Sequence, residues 1–192
     1  MEQMKEPQIL SFPSSGEFRE WLSENHAVRE GIWLRIFKKG SETQSVSHPE
    51  ALEEALCFGW IDGQGKPFDG ASWLVKMTPR RKNSVWSKRN RELAEKLIAE
   101  LRMTEHGLSE ITAAKIDGRW DAAYDPQTRM EIPEDFLSEL KTHPKGYAFF
   151  QSLNKANVYA IAWRLQTAKK PELREKRMRQ LIDRMDREEK LH

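Results

Sequence analysis

The sequence predicts an α+β protein: a small antiparallel sheet with packed helices, followed by a C-terminal helical bundle. Three observations carry this prediction. Short strand-type runs bounded by Gly and Pro fall at residues 32–38, 60–64 and 72–77, among helical periodicities. After about residue 132 only helix-type stripes occur. Between the two patterns, Asp125-Pro126 opens a polar connection to about residue 132, so the expected domains are 1–125 and 133–192.

The elements follow in order. Ser14-Ser15-Gly16-Glu17 is a capping-box pattern opening a short helix with Phe18, Trp21 and Leu22 on one side. Gly31 releases the chain into Ile32-Trp33-Leu34-Arg35-Ile36-Phe37, which is apolar on both faces and predicts an interior strand. Ser47-His48-Pro49-Glu50 is a second capping box; its helix buries Leu52, Ala55 and Leu56, and Gly59 ends it in the left-handed conformation. The runs 60–64 and 72–77 flank a turn-rich loop and predict an antiparallel pair, stopped by Thr78-Pro79. Ala94, Leu97, Ile98 and Leu101 mark a helix from Ser87 onward, with Ser87 or else Ser84 as its N-cap, and a weaker helix covers roughly 107–117.

In the second domain Pro133 and Pro144 suit first-turn positions. Val158, Ile161, Ala162 and Leu165 form one stripe. Met178, Leu181, Ile182 and Met185 form another, on a helix opened by Pro171. The segment from Asp183 to His192 reads as a solvated, frayed tail.

Composition limits the function classes. No apolar run approaches the length of a membrane span, and the first residues lack the apolar core of a signal peptide, so a cytoplasmic setting is expected. A single cysteine, Cys57, excludes an internal disulfide, and its Leu56-Cys57-Phe58 setting predicts a buried, inert thiol. The seven tryptophans are expected mainly in the core, with one or two lining a ligand cleft. No Walker loop, dinucleotide fingerprint, zincin pair or nucleophile elbow is present, and the five histidines are dispersed. No cofactor and no metal are therefore expected.

Charge is distributed unevenly. Residues 1–62 hold eleven acids against six bases, whereas residues 76–91 hold seven bases and no acid. Lys88, Arg89 and Arg91 fall in the first turn of a predicted helix, where the macrodipole penalises each cation by roughly 0.3–1 kcal/mol. An anion held by those charges and by the free N–H groups, with Trp86 stacking beside it, relieves the conflict; ion pairs with Glu92, Glu95 or the acidic N-terminal region relieve it equally well. Asp62, in Trp60-Ile61-Asp62-Gly63-Gln64, reads either as an acid/base or as the salt-bridge partner of Arg80 or Arg81. Arg119, between Asp117 and Asp121, reads as a structural ion pair.

Together these clusters resemble the YdeI/OmpD-associated family, also described as bacteriocin-protection proteins. The resemblance rests on Gly31-Ile32-Trp33-Leu34, the run from Glu54 to Gln64, Thr78-Pro79-Arg80, the run from Ser84 to Asn90, the run from Asp117 to Tyr124, and Ala168 to Arg174. Two places depart from the family pattern: Leu101-Arg102-Met103, where a Gly is expected before Arg-Met, and Glu105-His106-Gly107, where Pro-Ala is expected before Gly. The resemblance implies a role in bacterial envelope stress and bacteriocin tolerance, and implies no catalytic residue.

The resulting expectation is a non-enzymatic stress-protection binding protein with an anion-recognising cleft. Asp62, Arg80, Ser84, Trp86, Ser87, Lys88 and Asn90 line that cleft and take a phosphate- or carboxylate-bearing small molecule. Loss of Arg80 or Lys88 is expected to abolish stabilisation by the ligand and to leave the unliganded protein as stable as before or slightly more so. Two alternatives stand beside this: an enzyme acting on a phosphorylated or nucleotide-like small molecule with Asp62 as acid/base, and a nucleic-acid-binding protein that uses the basic stretch.

Overall fold

The computed structural model describes residues 7–125, 130–168 and 170–191. The chain forms two compact units, one made of the residues up to Trp86 with Asn90–Ala122, the other of Ser87–Arg89 with the residues from Ala123. The polar connection expected from Asp125 includes residues 126–129, which lie outside the described residues.

In the first unit, β1 (Ile9–Leu10), α1 (Ser15–Asn25), β2 (Ile32–Phe37), α2 (His48–Cys57), β3 (Trp60–Pro67) and β4 (Ser72–Pro79) follow one another. The sheet order is β1-β2-β4-β3. The expected antiparallel trio is present: β2 pairs β4 from Ile32↔Met77 to Phe37↔Ser72, and β3 pairs β4 with a register shift between Asp62 and Gly65. β1 adds a parallel partner for β2, so the sheet is mixed. Two residues are too few to show a period of two, and their place is set by contacts such as Trp33 N–H donating to the Gln8 carbonyl at 2.8 Å. β4 runs through Thr78-Pro79 rather than stopping before it, because Pro79 closes the strand opposite Trp60, where one missing N–H is tolerated.

The alternation of β2 sorts its side chains. Ile32, Leu34 and Ile36 are buried, while Trp33, Arg35 and Phe37 are half-buried on the other face. The core adds Phe18 and Leu22 from α1, Leu52, Ala55 and Leu56 from α2, and Trp60, Val75 and Met77 from the sheet. α2 starts at a complete capping box, with Ser47 and Glu50 satisfying each other's backbone N–H groups. At α1 only half of the expected box forms: the Ser14 hydroxyl accepts from Glu17 N–H. Gly59 ends α2 at φ +73°, as expected. Cys57 is fully buried, and that burial pushes its thiol pKa up.

Two helices, α3 (Lys88–Ala99) and α4 (Glu105–Ile116), follow β4. Their connection holds both departures from the family pattern. Leu101 stands at φ +57° with its side chain 93 % exposed, so a residue with a Cβ occupies a left-handed position that suits glycine. Gly107 is buried where a Cβ would lie 2.4 Å from Met103 Sδ and 2.5 Å from the Cys57 carbonyl oxygen. Thr104 precedes α4 without capping it; its hydroxyl and its N–H both donate to that same carbonyl, at 2.5 and 3.2 Å.

The second unit is helical throughout its described elements: α5 (Glu134–Lys141), α6 (Pro144–Gln151), α7 (Lys155–Gln166) and α8 (Pro171–Asp186). Phe136, Leu140, Ile161, Leu165, Leu181, Ile182 and Met185 form its core. Pro144 opens α6 as expected, whereas Pro133 occupies the cap position just before α5. The expected frayed tail from Asp183 is corrected: α8 continues to Asp186, Met185 is buried, and Leu191 N–H donates to Asn157 Oδ1 at 2.8 Å. Charge density alone hid this, because the buried residues recur once per turn among the charged ones.

Opposite changes at the α3–α4 connection therefore have opposite effects. Leu101→Gly relieves the left-handed strain and raises stability by about 1 kcal/mol after the added chain entropy is charged against it. Gly107→Ala drives a methyl group into backbone and lowers stability by roughly 2–4 kcal/mol. Urea denaturation midpoints of the two variants measure both signs.

Candidate functional site

The basic stretch after β4 is built around a buried cation. Arg80 N–H donates to the Gly59 carbonyl at 2.9 Å, which fixes the backbone as it leaves the sheet. The Arg80 side chain lies with its guanidinium carbon 3.5 Å from the Trp86 ring centroid, and one guanidinium nitrogen reaches the Val85 carbonyl at 3.4 Å. Both residues are buried, Arg80 at 7 % and Trp86 at 2 % exposure. Trp86 meets Trp120 at 4.8 Å between ring centroids. Arg119, also buried, holds Asp117 at 2.7 Å and donates to the Ser84 carbonyl at 3.0 Å. The expected structural ion pair of Arg119 is thus present, and it braces the loop that carries Ser84 and Trp86.

Ser84 does not cap α3. Its hydroxyl accepts from Arg81 N–H at 2.9 Å while its own N–H donates to the Arg81 carbonyl, closing a local turn. Ser87 stands immediately before α3, as the sequence predicts for a cap, and bridges Tyr124. Lys88, the first residue of α3, pairs with Asp125 at 2.7 Å, and its N–H donates to the Tyr124 carbonyl at 2.9 Å. One cation and one helix N–H expected to face an anion are therefore occupied by protein groups. Asn90 is half-buried on α3.

Asp62 takes neither Arg80 nor Arg81 as its partner. Its carboxylate lies 3.0 Å from His48 Nε2, both side chains being about a quarter exposed. The His48 ring also meets Trp73 at 5.7 Å. His48 escaped the sequence reading because it sits inside the capping box and was accounted for as helix-start chemistry. Only the pairing of β3 with β4 and the packing of α2 bring it to Asp62.

His48 also lines a groove of about 690 Å³ at the start of α2 and the end of β2. Lys38, Lys39, Ser41, Thr43 and Ser45 supply cations and hydroxyls to this groove. Its acid, Glu50, is engaged in the capping box, and the hydrogen bonds from Ser47 hold its carboxyl below the usual range. Lys38 donates to the Gly70 carbonyl at 2.8 Å, and Lys39 makes no ion pair among the described residues. No group of three or more His, Cys, Asp or Glu among the described residues is arranged to hold a metal ion. No helix of the described residues is long and apolar enough to cross a membrane.

Comparison with known families divides the chain in the same order. Residues 10–110, more than half of it, match a domain of unknown function (DUF8412), and residues 129–188 match the family described as Bacteriocin-protection, YdeI or OmpD-Associated. The chain belongs to the DUF8412 family and carries a YdeI/OmpD-associated domain at its C-terminal end. No curated protein and no solved structure matches it. The resemblance seen in the sequence is thus shown, and the YdeI/OmpD-associated match covers the C-terminal region. The motifs from Gly31 to Asn90, including His48, Asp62 and the Arg80–Trp86 stack, fall within the DUF8412 match.

Arg80 is a framework residue of this domain, contrary to the expectation that its loss leaves stability unchanged. A desolvated cation–π contact is worth about 2 kcal/mol, and truncation also leaves space beside Trp86. Arg80→Ala is expected to lower stability by roughly 2–3 kcal/mol, with Arg80→Lys recovering part of the loss because an ammonium lacks the planar stacking face. Chemical denaturation followed by tryptophan fluorescence checks the order wild type, Lys, Ala.

Proposed function

We propose that the chain is a protection-type binding protein, and that its first unit recognises a small anionic ligand carrying a phosphate or carboxylate. The observation behind this reading is the groove beside α2. Two lysines and six hydroxyl residues line it, while its one acid, Glu50, is engaged in a helix cap. His48 stands at the same groove, oriented by Asp62. Lysines act there as point charges and hydroxyls as orienting donors, a combination that suits an anion small enough to be reached from one side. The Arg80–Trp86 stack serves this reading by fixing the end of β4, and so the strand on which β3 and Asp62 align.

One observation favours a second reading, an enzyme acting on a phosphorylated small molecule. A histidine hydrogen-bonded to a carboxylate through Nε2 leaves Nδ1 to exchange protons with a ligand. In that case Asp62 holds the tautomer and His48 carries the proton.

Binding of inorganic phosphate or a nucleoside monophosphate is expected to raise the melting temperature by mass action. Lys38→Ala with Lys39→Ala should abolish that rise at unchanged unliganded stability, since both lysines are exposed. His48→Gln separates the readings. A variant that still binds, with phosphate-ester turnover absent from the wild type as well, fits the binding protein. Turnover in the wild type that is lost in His48→Gln fits the enzyme. If neither phosphate nor any nucleotide shifts the melting temperature, anion recognition by the groove fails.

A further inference from the structure

The second unit carries a pocket of its own, of about 360 Å³, between the end of α7 and the C-terminal half of α8. Arg164, Arg177, Arg184 and Arg187 line it, with Asp183 and Glu189 as its acids. The charges do not cancel. Glu189 stands 3.6 Å from Arg184 Nε, while among the described residues Arg164, Arg177 and Arg187 form no ion pair with a carboxylate. Four guanidiniums beside two carboxylates repel one another unless an anion joins them.

Fixed geometry distinguishes this cluster from a solvated basic face. Arg177 donates to the Arg164 carbonyl at 2.7 Å and to the Thr167 hydroxyl at 3.2 Å, which pins its guanidinium at the C-terminal end of α7, where the helix dipole favours a cation. Arg184 donates to the Lys190 carbonyl at 3.1 Å, yet its Nε is buried with no hydrogen-bond acceptor among the described residues. Leu181, 2 % exposed, supplies an apolar wall.

We propose that this pocket binds a phosphate monoester group. Guanidinium forks match phosphate oxygens two at a time, which lysines do not. The volume lies at the lower end of the small-molecule range of roughly 300–1,000 Å³, so it suits one phosphate with a small attached moiety. The site is separate from the groove of the first unit and does not rest on the reading of that groove.

Calorimetric titration of the full chain with inorganic phosphate tests the proposal, using the wild type, Arg164→Gln/Arg187→Gln and Lys38→Ala/Lys39→Ala. Among the described residues neither arginine side chain forms a hydrogen bond or ion pair with a protein group, so matching urea midpoints will show that the arginine variant is folded. Saturable binding that weakens at least about tenfold in the arginine variant and persists in the lysine variant is the expected result. Co-sedimentation with vesicles of phosphatidic acid in phosphatidylcholine, against phosphatidylcholine alone, locates the phosphate. Sedimentation that is lost with the same two arginines puts it on a lipid headgroup. Phosphate binding without sedimentation puts it on a soluble molecule. No saturable heat at millimolar phosphate, or binding unchanged in the arginine variant, overturns the proposal; binding lost only in the lysine variant does so as well and assigns the phosphate to the groove.

Discussion

The first unit depends on a carboxylate placed where water hardly reaches. Glu54 is 5 % exposed, and it accepts from Arg19 at 2.7 Å and from Arg102 at 2.6 Å, while Glu53 takes Arg102 at 2.6 Å. Burial works against charge at Arg102, but the hydrogen bonds it donates to Glu53 and Glu54 outweigh that and hold its pKa above the ordinary range. Removing one partner of such a group strands the others, which makes the arrangement far more sensitive to loss than its net worth suggests. Because Arg19 lies on α1, Glu54 on α2 and Arg102 after α3, this one network sets α2 against two neighbours. The close approach of Gly107 to the Cys57 carbonyl, and the double use of that carbonyl by Thr104, are both possible only with α2 held there.

The same placement makes the candidate groove. With its C-terminal half tied by Glu53 and Glu54, α2 presents its N-terminal residue, His48, to the carboxylate of Asp62 on β3. The capping box ties the Glu50 carboxylate to Ser47, and the same hydrogen bonds keep that carboxylate ionised at the edge of the groove. A device that starts a helix therefore also fixes the position of one charge on the surface beside it. The shape and the charge of the groove both follow from how one short helix begins and how it is anchored.

These dependencies explain what was legible in the sequence. Features settled within a few residues could be read: the Ser47–Glu50 box, the left-handed Gly59, the alternation of Ile32, Leu34 and Ile36, and the stripe Leu181-Ile182-Met185. Features settled by partners far along the chain could not. Asp62 looked like the natural counter-ion for Arg80 or Arg81, but strand pairing puts His48 beside it. The cations at the start of α3 looked like a conflict awaiting an anion, yet Lys88 finds Asp125, thirty-seven residues away. Leu101 read both as the end of an apolar helical stripe and as a missing glycine; it lies past the end of α3 and is exposed, and its positive φ supplies the physical reason that a glycine suits that position.

Local charge density also misleads in the other direction. The stretch from Lys76 to Arg91 has seven bases in a row of sixteen residues without an acid, and within it Arg80 is buried on an indole and Lys88 is paired. The segment from Arg164 to Glu189 interleaves nine bases with six acids, and its densest basic run, Lys176-Arg177-Met178-Arg179, contains only one of the four pocket arginines. Helical periodicity then sorts those charges: residues three or four apart share a face, so Arg177, Arg184 and Arg187 converge, while Glu172 and Glu175 lie elsewhere on α8 and do not line the pocket. A surplus of cations in space is a property of the folded face and not of the sequence window. Where folding brings together more guanidiniums than carboxylates, as in the pocket of Arg164, Arg177, Arg184 and Arg187 with Asp183 and Glu189, it leaves a local excess of positive charge that an anion would offset.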